Sequence, residues 1–324
     1  MQILITGAAG FIGFNLSKYL LENSKFKIFG VDNFNAYYSK SLKIDRIKEL
    51  KKFRNFRFEK IDITNKKKLD IFFKKKKISL IINLAAQAGV RYSLIKPTEY
   101  VDNNVLGFYN IISAANKYKV KKIIYASSSS VYGDSTIFPL SEKQKIKPKN
   151  IYALSKKINE EMADVFSEQF KIYFVGLRFF TVYGEWGRPD MFMMKYLESS
   201  FNSSKKFYLN NFGKHVRDFT YIKDVNEILF KLIKKNIKNK NIIFNICSNN
   251  PIKITKVLNL IDKFTDKKAK IIKREFQSAD VYKTHGDNSL IKKTVKFKKF
   301  TKIEKGIINT VNWFKNNKKI IKMF

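Results

Sequence analysis

Short apolar runs alternate with longer amphipathic stretches along the first half of this chain. Six buried strands are predicted from the apolar runs QILITG, FKIFGVD, FRFEKIDI, LIINLAA, KIIYASSS and YFVGLRFF. Helices are predicted between these runs, at residues 11–23, 40–52, 65–75, 99–118 and 151–169. Because strands and helices alternate, we expect an α/β fold with a doubly wound parallel sheet of the Rossmann type.

The alternation becomes looser after about residue 180. Predicted helices at 190–203 and 254–264 are separated there by short strands and loops. We therefore expect a first domain at 1–180 and a smaller C-terminal lobe at 181–324. The segment RDFTYIKDVNEILFKLI, at 217–233, is expected to pack back on the sheet of the first domain.

The chain is strongly basic, with 65 Lys and Arg against 27 Asp and Glu and a formal net charge of +38. The lysines are scattered through nearly every segment, and no recognised nucleic-acid-binding module accompanies them. We therefore expect no nucleic-acid partner. A basic surface of this kind steers an anionic small substrate toward its cleft.

Cysteine and histidine content excludes several kinds of site. The single cysteine, Cys247, allows no disulfide within the chain and fits a reducing compartment. His215, His285 and Cys247 form neither a metal-ligand pattern nor a nucleophile–base pair, so no metal is expected. No apolar run approaches the roughly 18 residues of a membrane span, and the start MQILITGAAGFIG lacks the features of a signal peptide. We expect a cytoplasmic protein without membrane contact.

The first candidate site is the glycine loop TGAAGFIG, which directly follows the first predicted strand. Gly7, Gly10 and Gly13 permit a tight turn that brings backbone N–H groups close to a pyrophosphate. Asp32, at the end of the second strand, is placed to accept hydrogen bonds from ribose hydroxyls and repels a 2′-phosphate, which favours NAD over NADP. Asp62, at the end of the third strand, is suitably placed to bind the edge of an adenine ring. An ordinary acidic residue at a strand end, without a role in the site, is an equally good interpretation.

The second candidate site is the motif YALSK, with Tyr152 and Lys156 four residues apart on one helical face. An ammonium beside a phenol favours the phenolate and makes the tyrosine a usable base. On its own such a pair is usually a surface feature. Ser128, in YASSSSVYG, ends the fifth predicted strand, and its hydroxyl would hold the substrate oxygen from which Tyr152 removes a proton.

Together with NLAAQAGVRYS, LRFFTVYG and RDFTYIKD, these motifs make the chain resemble the extended short-chain dehydrogenases/reductases, in the NAD-dependent sugar-nucleotide epimerase/dehydratase family. The resemblance runs from residue 1 to about 290. It implies that Ser128, Tyr152 and Lys156 form a catalytic triad. The implied NAD-binding positions are Gly7, Gly10, Phe11, Ile12, Gly13, Asp32, Asn33, Asp62, Ile63, Leu84, Ala85, Ala86, Asn103, Tyr152 and Lys156.

The resemblance also implies how the parts of the chain are used. The domain at 1–180 would bind NAD and the lobe at 181–324 would bind a UDP-sugar. In the family, the helices that correspond to 99–118 and 151–169 pair across a two-fold axis, so a homodimer is expected.

Three loops resemble the UDP-glucuronate 4-epimerase subgroup of this family, namely DNFNAYYSKSLK, AAQAGVRYS and GEWGRPDM. By this resemblance Arg91, Thr181, Arg188, Arg217 and Asp280 line the pocket for a UDP-uronate. Arginine forks suit pyrophosphate and carboxylate groups.

The serine run distinguishes this chain from the dehydratases and decarboxylases of the family. Ser129 and Ser130 stand where dehydratases of the family carry Asp–Glu, and decarboxylases of UDP-glucuronate carry Glu at the position of Ser130. Hydroxyls donate to a substrate carboxylate without the repulsion that a Glu would impose. We therefore expect Ser129 and Ser130 to bind the uronate carboxylate; a serine-rich turn in which only Ser128 is functional is the alternative.

The function expected from the sequence is NAD-dependent conversion of UDP-glucuronate to UDP-galacturonate by transient oxidation at carbon 4, in surface polysaccharide synthesis. The alternatives are a 4-epimerase of UDP-glucose or of a UDP-N-acetylhexosamine, and a UDP-glucuronate decarboxylase. A non-enzymatic NAD-binding regulator is a further alternative, against which the intact triad argues.

Overall fold

The computed structural model describes residues 1–277 and 279–317, so the last seven residues of the lobe predicted at 181–324 lie outside the described part. Its strands, in chain order, are β1 Gln2–Thr6, β2 Lys27–Asp32, β3 Phe56–Lys60, β4 Leu80–Asn83, β5 Lys122–Ser128, β6 Tyr173–Phe179, β7 Thr181–Tyr183, β8 Lys206–Asn210, β9 Val216–Tyr221, β10 Asn241–Ile246, β11 Pro251–Lys253 and β12 Lys270–Arg274.

Its α-helices are α1 Phe11–Asn23, α2 Lys40–Lys51, α3 Lys66–Lys74, α4 Thr98–Tyr100, α5 Gly107–Lys117, α6 Ile151–Phe170, α7 Phe192–Phe201, α8 Ile222–Lys234, α9 Ile254–Thr265, α10 Ser289–Val295 and α11 Ile303–Asn316.

The central sheet has seven parallel strands in the order β10-β6-β5-β4-β1-β2-β3. Buried side chains from α3, α5 and α6 pack on one face, and side chains from α1, α2 and α8 pack on the other. Helices on both faces bury the inner strands β1, β4, β5 and β6 almost completely, which explains their apolar runs, whereas the edge strand β3 is largely exposed. The doubly wound parallel α/β fold predicted from the sequence is confirmed.

Residues beyond 180 complete this sheet and also form two smaller ones. β10 pairs in parallel with β6 at the edge of the central sheet, and α8 packs against α1 on one of its faces. β7, β9 and β11 form a three-stranded sheet, and β8 pairs in parallel with β12. Because β7 follows β6 after a single residue, the smaller sheets lie close to the carboxyl ends of the central strands.

The segment predicted as one helix at 99–118 is interrupted. A π-helical stretch, Val101–Leu106, separates α4 from α5. Within it the backbone carbonyl of Asn104 accepts a hydrogen bond from Asn159 Nδ2 at 2.7 Å, and Asn104 Nδ2 donates to Ser155 Oγ at 2.9 Å. These contacts with α6 compensate for the irregular turn, and such turns are common at functional sites.

Candidate active site

The carboxyl ends of β1, β2, β4, β5 and β6 open into one cavity, called here the sheet-end cavity. It lies where the strand order reverses between β1 and β4, the place at which open α/β sheets bind ligands. The predicted cofactor residues that line it are Gly7, Gly10, Phe11, Ile12, Gly13, Asp32, Asn33, Ile63, Leu84, Ala85, Ala86, Asn103, Tyr152 and Lys156. Asp62 is not in this lining, because its carboxylate is turned to Asn33 Nδ2 and to the backbone N–H and hydroxyl of Thr64.

The glycine loop between β1 and α1 leaves no room for side chains. Gly7 has a φ of +68°, and a Cβ there would lie 2.8 Å from the backbone nitrogen of Ala85. A Cβ on Gly13 would lie 2.2 Å from the carbonyl oxygen of Gly7. The N-terminus of α1 therefore stays open to a ligand, and its free N–H groups and positive dipole end fit the pyrophosphate of a dinucleotide.

Asp32 is held in a fixed orientation at the end of β2. Its Oδ2 accepts the N–H of Ala9 at 3.1 Å and its Oδ1 accepts the N–H of Phe34 at 2.8 Å. Burial raises the pKa of its carboxyl, while these bonds and the charges of Lys43 and Arg46 act in the opposite direction. The same carboxylate that anchors the glycine loop thus lies in the cavity wall, where a ribose hydroxyl would reach it.

Sequence reasoning missed Lys43, a buried residue of α2 that also lines the sheet-end cavity. Its Nζ donates to the backbone carbonyl of Asn35 at 2.9 Å and to Asn35 Oδ1 at 2.5 Å. Burial lowers its pKa to about 8, although Asp32 favours the charged form. One lysine among 65 basic residues gives no signal in the sequence, and only its burial marks it as a site residue.

The predicted triad is brought together at the same cavity. Ser128 ends β5, and Tyr152 and Lys156 lie in the first turns of α6, whose N-terminus is capped by Asn150 Oδ1 accepting the N–H of Ala153. Burial raises the pKa of the Tyr152 phenol, while a hydrogen bond with Ser128 and the charge of Arg188 lower it.

Lys156 is fixed by the strand that carries the serine. Its Nζ donates to the backbone carbonyl of Ala126, in β5, at 2.9 Å. Burial lowers the pKa of its ammonium to about 8, so the side chain is mostly charged at neutral pH. A cation one helical turn from Tyr152 favours the phenolate when a substrate hydroxyl offers its proton.

Two serines at the end of β5, Ser128 and Ser130, are hydrogen-bonded to each other. The N–H of Ser130 donates to Ser128 Oγ at 3.2 Å, and the two side-chain oxygens are 3.1 Å apart. Ser128 lines the sheet-end cavity, whereas Ser129 and Ser130 are half-buried in a 3₁₀ turn beside it. Their role in binding a carboxylate therefore stays a prediction.

The predicted substrate residues divide between two cavities. Arg91, Thr181, Arg217 and Asp280 line a second cavity, called here the basic cavity, between α7, β8, β9 and the loop after β4. Arg188 lines the sheet-end cavity instead.

The two cavities meet at the side chain of Tyr37, which lines both. The guanidinium of Arg188 forms a fork on Asp190, with Nε 2.9 Å from Oδ1 and Nη2 2.7 Å from Oδ2. Tyr37 donates its hydroxyl to the same carboxylate at 3.1 Å. Tyr37, Arg188 and Asp190 therefore form the boundary between the two cavities.

The basic cavity is suited to an anionic group. Arg91 binds Asp280 through Nη2–Oδ2 at 2.6 Å and Nε–Oδ1 at 3.3 Å. Arg217 is half-buried and donates to the backbone carbonyls of Val281 and Tyr282. The other basic residues of the lining are Lys195, Lys205, Lys206 and Arg274. Such an excess of cations in a concave site attracts a diphosphate.

Two searches of the described ranges, 1–277 and 279–317, bear on other kinds of site. They contain no group of three or more His, Cys, Asp or Glu side chains that could hold a metal ion. None of the helices in these ranges is both long enough and apolar enough to cross a membrane.

Comparison with known proteins gives a consistent result. The profile of the NAD dependent epimerase/dehydratase family matches residues 3–247. A UDP-glucuronate 4-epimerase of Thermodesulfobacterium geofontis is 38% identical over 320 residues, covering 98% of each chain. UDP-glucuronate 4-epimerase 4 of Arabidopsis thaliana is 35% identical, over 97% of this chain and 75% of that protein.

Among solved structures, the UDP-glucuronic acid 4-epimerase of Bacillus cereus in complex with UDP-glucuronic acid and NAD superposes with a TM-score of 0.90. It is 29% identical, and the match covers 98% of this chain and 99% of that one.

We predict that Tyr152→Phe removes catalysis while leaving dinucleotide binding nearly intact, because only the hydroxyl that accepts the proton is lost. Loss of a general base typically reduces kcat by a factor of about 10²–10⁴. Steady-state kinetics and a fluorescence titration with NAD measure the two effects. Tyr109→Phe, on α5 and outside both cavities, is the control and should keep full activity. A Tyr152→Phe variant with most of its kcat would refute the assignment.

Proposed function

This chain belongs to the NAD dependent epimerase/dehydratase family, and from that membership we propose that it converts UDP-glucuronate to UDP-galacturonate by epimerisation at carbon 4. The observation that carries the proposal is a Tyr152–Lys156 pair facing a strand end, β5, that carries hydroxyls and no acid. In addition, the chain is similar over 98% of its length to UDP-glucuronate 4-epimerases. The protein is an NAD-dependent isomerase of sugar nucleotides.

The residues of the sheet-end cavity fit NAD by shape and chemistry. The glycine loop leaves the N-terminus of α1 open for the pyrophosphate, and Asp32 with Lys43 would face the ribose. NAD held there would accept a hydride from carbon 4 and give it back, so that the net reaction would consume no NAD.

The protein moves the proton and orients the sugar. The Ser128 hydroxyl holds the oxygen on carbon 4, and Tyr152 accepts its proton as the carbonyl forms. Lys156, charged and buried, stabilises the phenolate before transfer and favours the return of the proton afterwards. The protein therefore needs no acid for carbon–oxygen cleavage, which separates it from a dehydratase.

We further propose that the domain at 1–180 binds NAD and that the lobe at 181–324 binds the UDP-sugar. The basic cavity, with Arg91 and Arg217, would take the diphosphate, and Arg188 would face the uronate carboxylate. Proteins bind such groups with guanidinium forks because the donors match their geometry. A role in surface polysaccharide synthesis and a cytoplasmic location stay predictions.

The direct test is a panel of UDP-sugars followed by proton NMR of the products. We expect UDP-glucuronate to give UDP-galacturonate with almost no CO₂ and without one NADH per product. A preference for UDP-glucose or a UDP-N-acetylhexosamine would favour another 4-epimerase. A UDP-pentose product would favour a decarboxylase, and no turnover with any sugar would favour a non-enzymatic NAD-binding protein.

We predict that Ser130→Glu weakens binding of UDP-glucuronate and sends more of the 4-keto intermediate to decarboxylation. A glutamate about 4 Å from the substrate carboxylate repels it by roughly 4 kcal/mol at an effective dielectric of 20. A change of about 1.4 kcal/mol already alters a rate tenfold, so the product ratio should change visibly. Headspace CO₂ and NMR of the pentose product measure it.

Ser130→Gln is the matched control, because it has nearly the volume of glutamate but no charge. It should disturb packing equally while leaving the ratio of pentose to UDP-galacturonate close to that of the unmodified enzyme. If Ser130→Glu changes neither affinity nor product ratio, Ser130 does not bind the carboxylate.

We also propose that the protein is a homodimer that pairs through the segments 99–118 and 151–169. Apolar side chains are exposed along these segments, with Val101 and Val165 each 52% exposed and Leu106 46% exposed. Leu154 and Val165 lie three helical turns apart on α6, and so they share one face of that helix. A second copy of the same face would cover them.

We predict that Leu154→Glu combined with Val165→Glu yields a monomer, because each new carboxylate would be buried at the interface. Sedimentation equilibrium at micromolar concentration should give the 38.0 kDa mass of one chain for this variant and twice that mass for the unmodified protein. Ile44→Glu is the control, since Ile44 is 43% exposed on α2, which packs on the opposite face of the central sheet from α5 and α6. An unmodified protein that sediments as a monomer would contradict the proposal.

A further inference from the structure

His215 is a buried side chain in the wall of the basic cavity that neither the triad nor the predicted substrate set uses. It directly precedes β9 and is 3% exposed. Its backbone carbonyl accepts the N–H of Ile254 at 3.0 Å, and its ring lies 5.8 Å from that of Phe276. The ring is therefore held between β9, the start of α9 and the segment after β12.

Only one of the two ring nitrogens has a partner. The backbone carbonyl of Asn210 accepts a hydrogen bond from the ring, whereas Nε2 is buried without any hydrogen bond. The bond to Asn210 therefore comes from Nδ1–H. In the neutral ring this leaves Nε2 as an acceptor, and it lies 3.7 Å from Asp280 Oδ2, which is also an acceptor. The two atoms face each other without a proton between them.

The charges around the ring explain why it is neutral. Burial and, after it, the charges of the Arg217 and Arg91 guanidinium groups lower the pKa of His215 to about 4, against the raising effect of Asp280. Arg91 already forms a fork on Asp280, so that carboxylate is neutralised without help from the histidine. The other charged groups of the cavity wall are Asp190, Lys195, Glu198, Lys205, Lys206 and Arg274.

We propose that His215 is a positioning residue that takes up a proton when the diphosphate of the UDP-sugar enters the basic cavity, and that its Nε2–H then donates to Asp280. The inference rests on the proposed function for the identity of the ligand. The anion offsets the positive charges of Arg91 and Arg217, which add to the effect of burial in disfavouring the imidazolium of the free protein. Protonation gives Nε2 a hydrogen to donate, and Asp280 is held in place while Arg91 also serves the ligand.

Coupling between protonation of His215 and substrate binding makes the affinity depend on pH in one direction. A group whose pKa is higher in the complex than in the free protein makes binding tighter as the pH falls through its value in the complex. Between the two pKa values the affinity rises by about tenfold for each pH unit. The KM for UDP-glucuronate should therefore fall as the pH is lowered from the pKa of His215 in the complex toward its pKa of about 4 in the free protein.

The chain has only two histidines, and this makes a direct measurement possible. With histidine labelled at Cε1 with carbon-13, NMR titration of the full protein with bound NAD reports both pKa values with and without saturating UDP-glucuronate. We expect the pKa of His215 to rise by one unit or more in the complex. His285, whose Nε2 lies 2.6 Å from Asn249 Oδ1, should not respond.

Two variants complete the test. His215→Gln removes the titrating group and should abolish the fall of KM at low pH, whereas His285→Gln should keep it. A complex in which UDP-glucuronate binds and the pKa of His215 does not move overturns the inference while leaving the proposed function intact. If UDP-glucuronate causes no spectral change and is not turned over, the proposed function itself is wrong.

Discussion

The geometry of the triad depends on one buried ion pair behind it. Arg178, in β6, forms a fork on Glu160, in α6, with Nε 2.9 Å from Oε1 and Nη2 2.7 Å from Oε2, and both side chains are at most 5% exposed. Ser127, in β5, donates its hydroxyl to the same carboxylate at 2.5 Å. Removing one partner of such a pair leaves a buried charge at a cost of about 3–5 kcal/mol, so α6, β5 and β6 hold one arrangement. Ser128 lies on β5 and Tyr152 lies on α6, so the fixed arrangement of these elements sets the distance between the two side chains.

Charge is distributed locally in a way that the net charge of +38 does not reveal. Two of the guanidinium groups that face the cavities are each paired with a carboxylate, Arg188 with Asp190 and Arg91 with Asp280. A paired arginine stays oriented and keeps N–H donors for a ligand, whereas a free one in a buried site would carry an uncompensated charge. An anionic substrate therefore meets donors that are already in position, which reduces the entropy lost on binding.

Much of the fold and part of the site follow from short-range sequence patterns. Each predicted strand of the first half contains the strand found in the structure, because apolar continuity reports burial on both faces of a parallel sheet. The helix expected at 99–118 is interrupted because Asn104 bonds to side chains of α6, which no local pattern reports. Asp62 accepts hydrogen bonds from nearby Asn33 and Thr64, and its place at an adenine edge stays a prediction.

The sequence by itself determined the alternation of strands and helices, the glycine loop and the spacing of Tyr152 and Lys156, because each depends on neighbours within a few residues. Only the tertiary structure decided that β10 joins the central sheet and that Lys43 lines the sheet-end cavity. It also placed His215 beside Asp280, 65 residues away in the chain. Burial and electrostatic coupling depend on distances between elements that the folded packing sets, and a single sequence does not contain these distances.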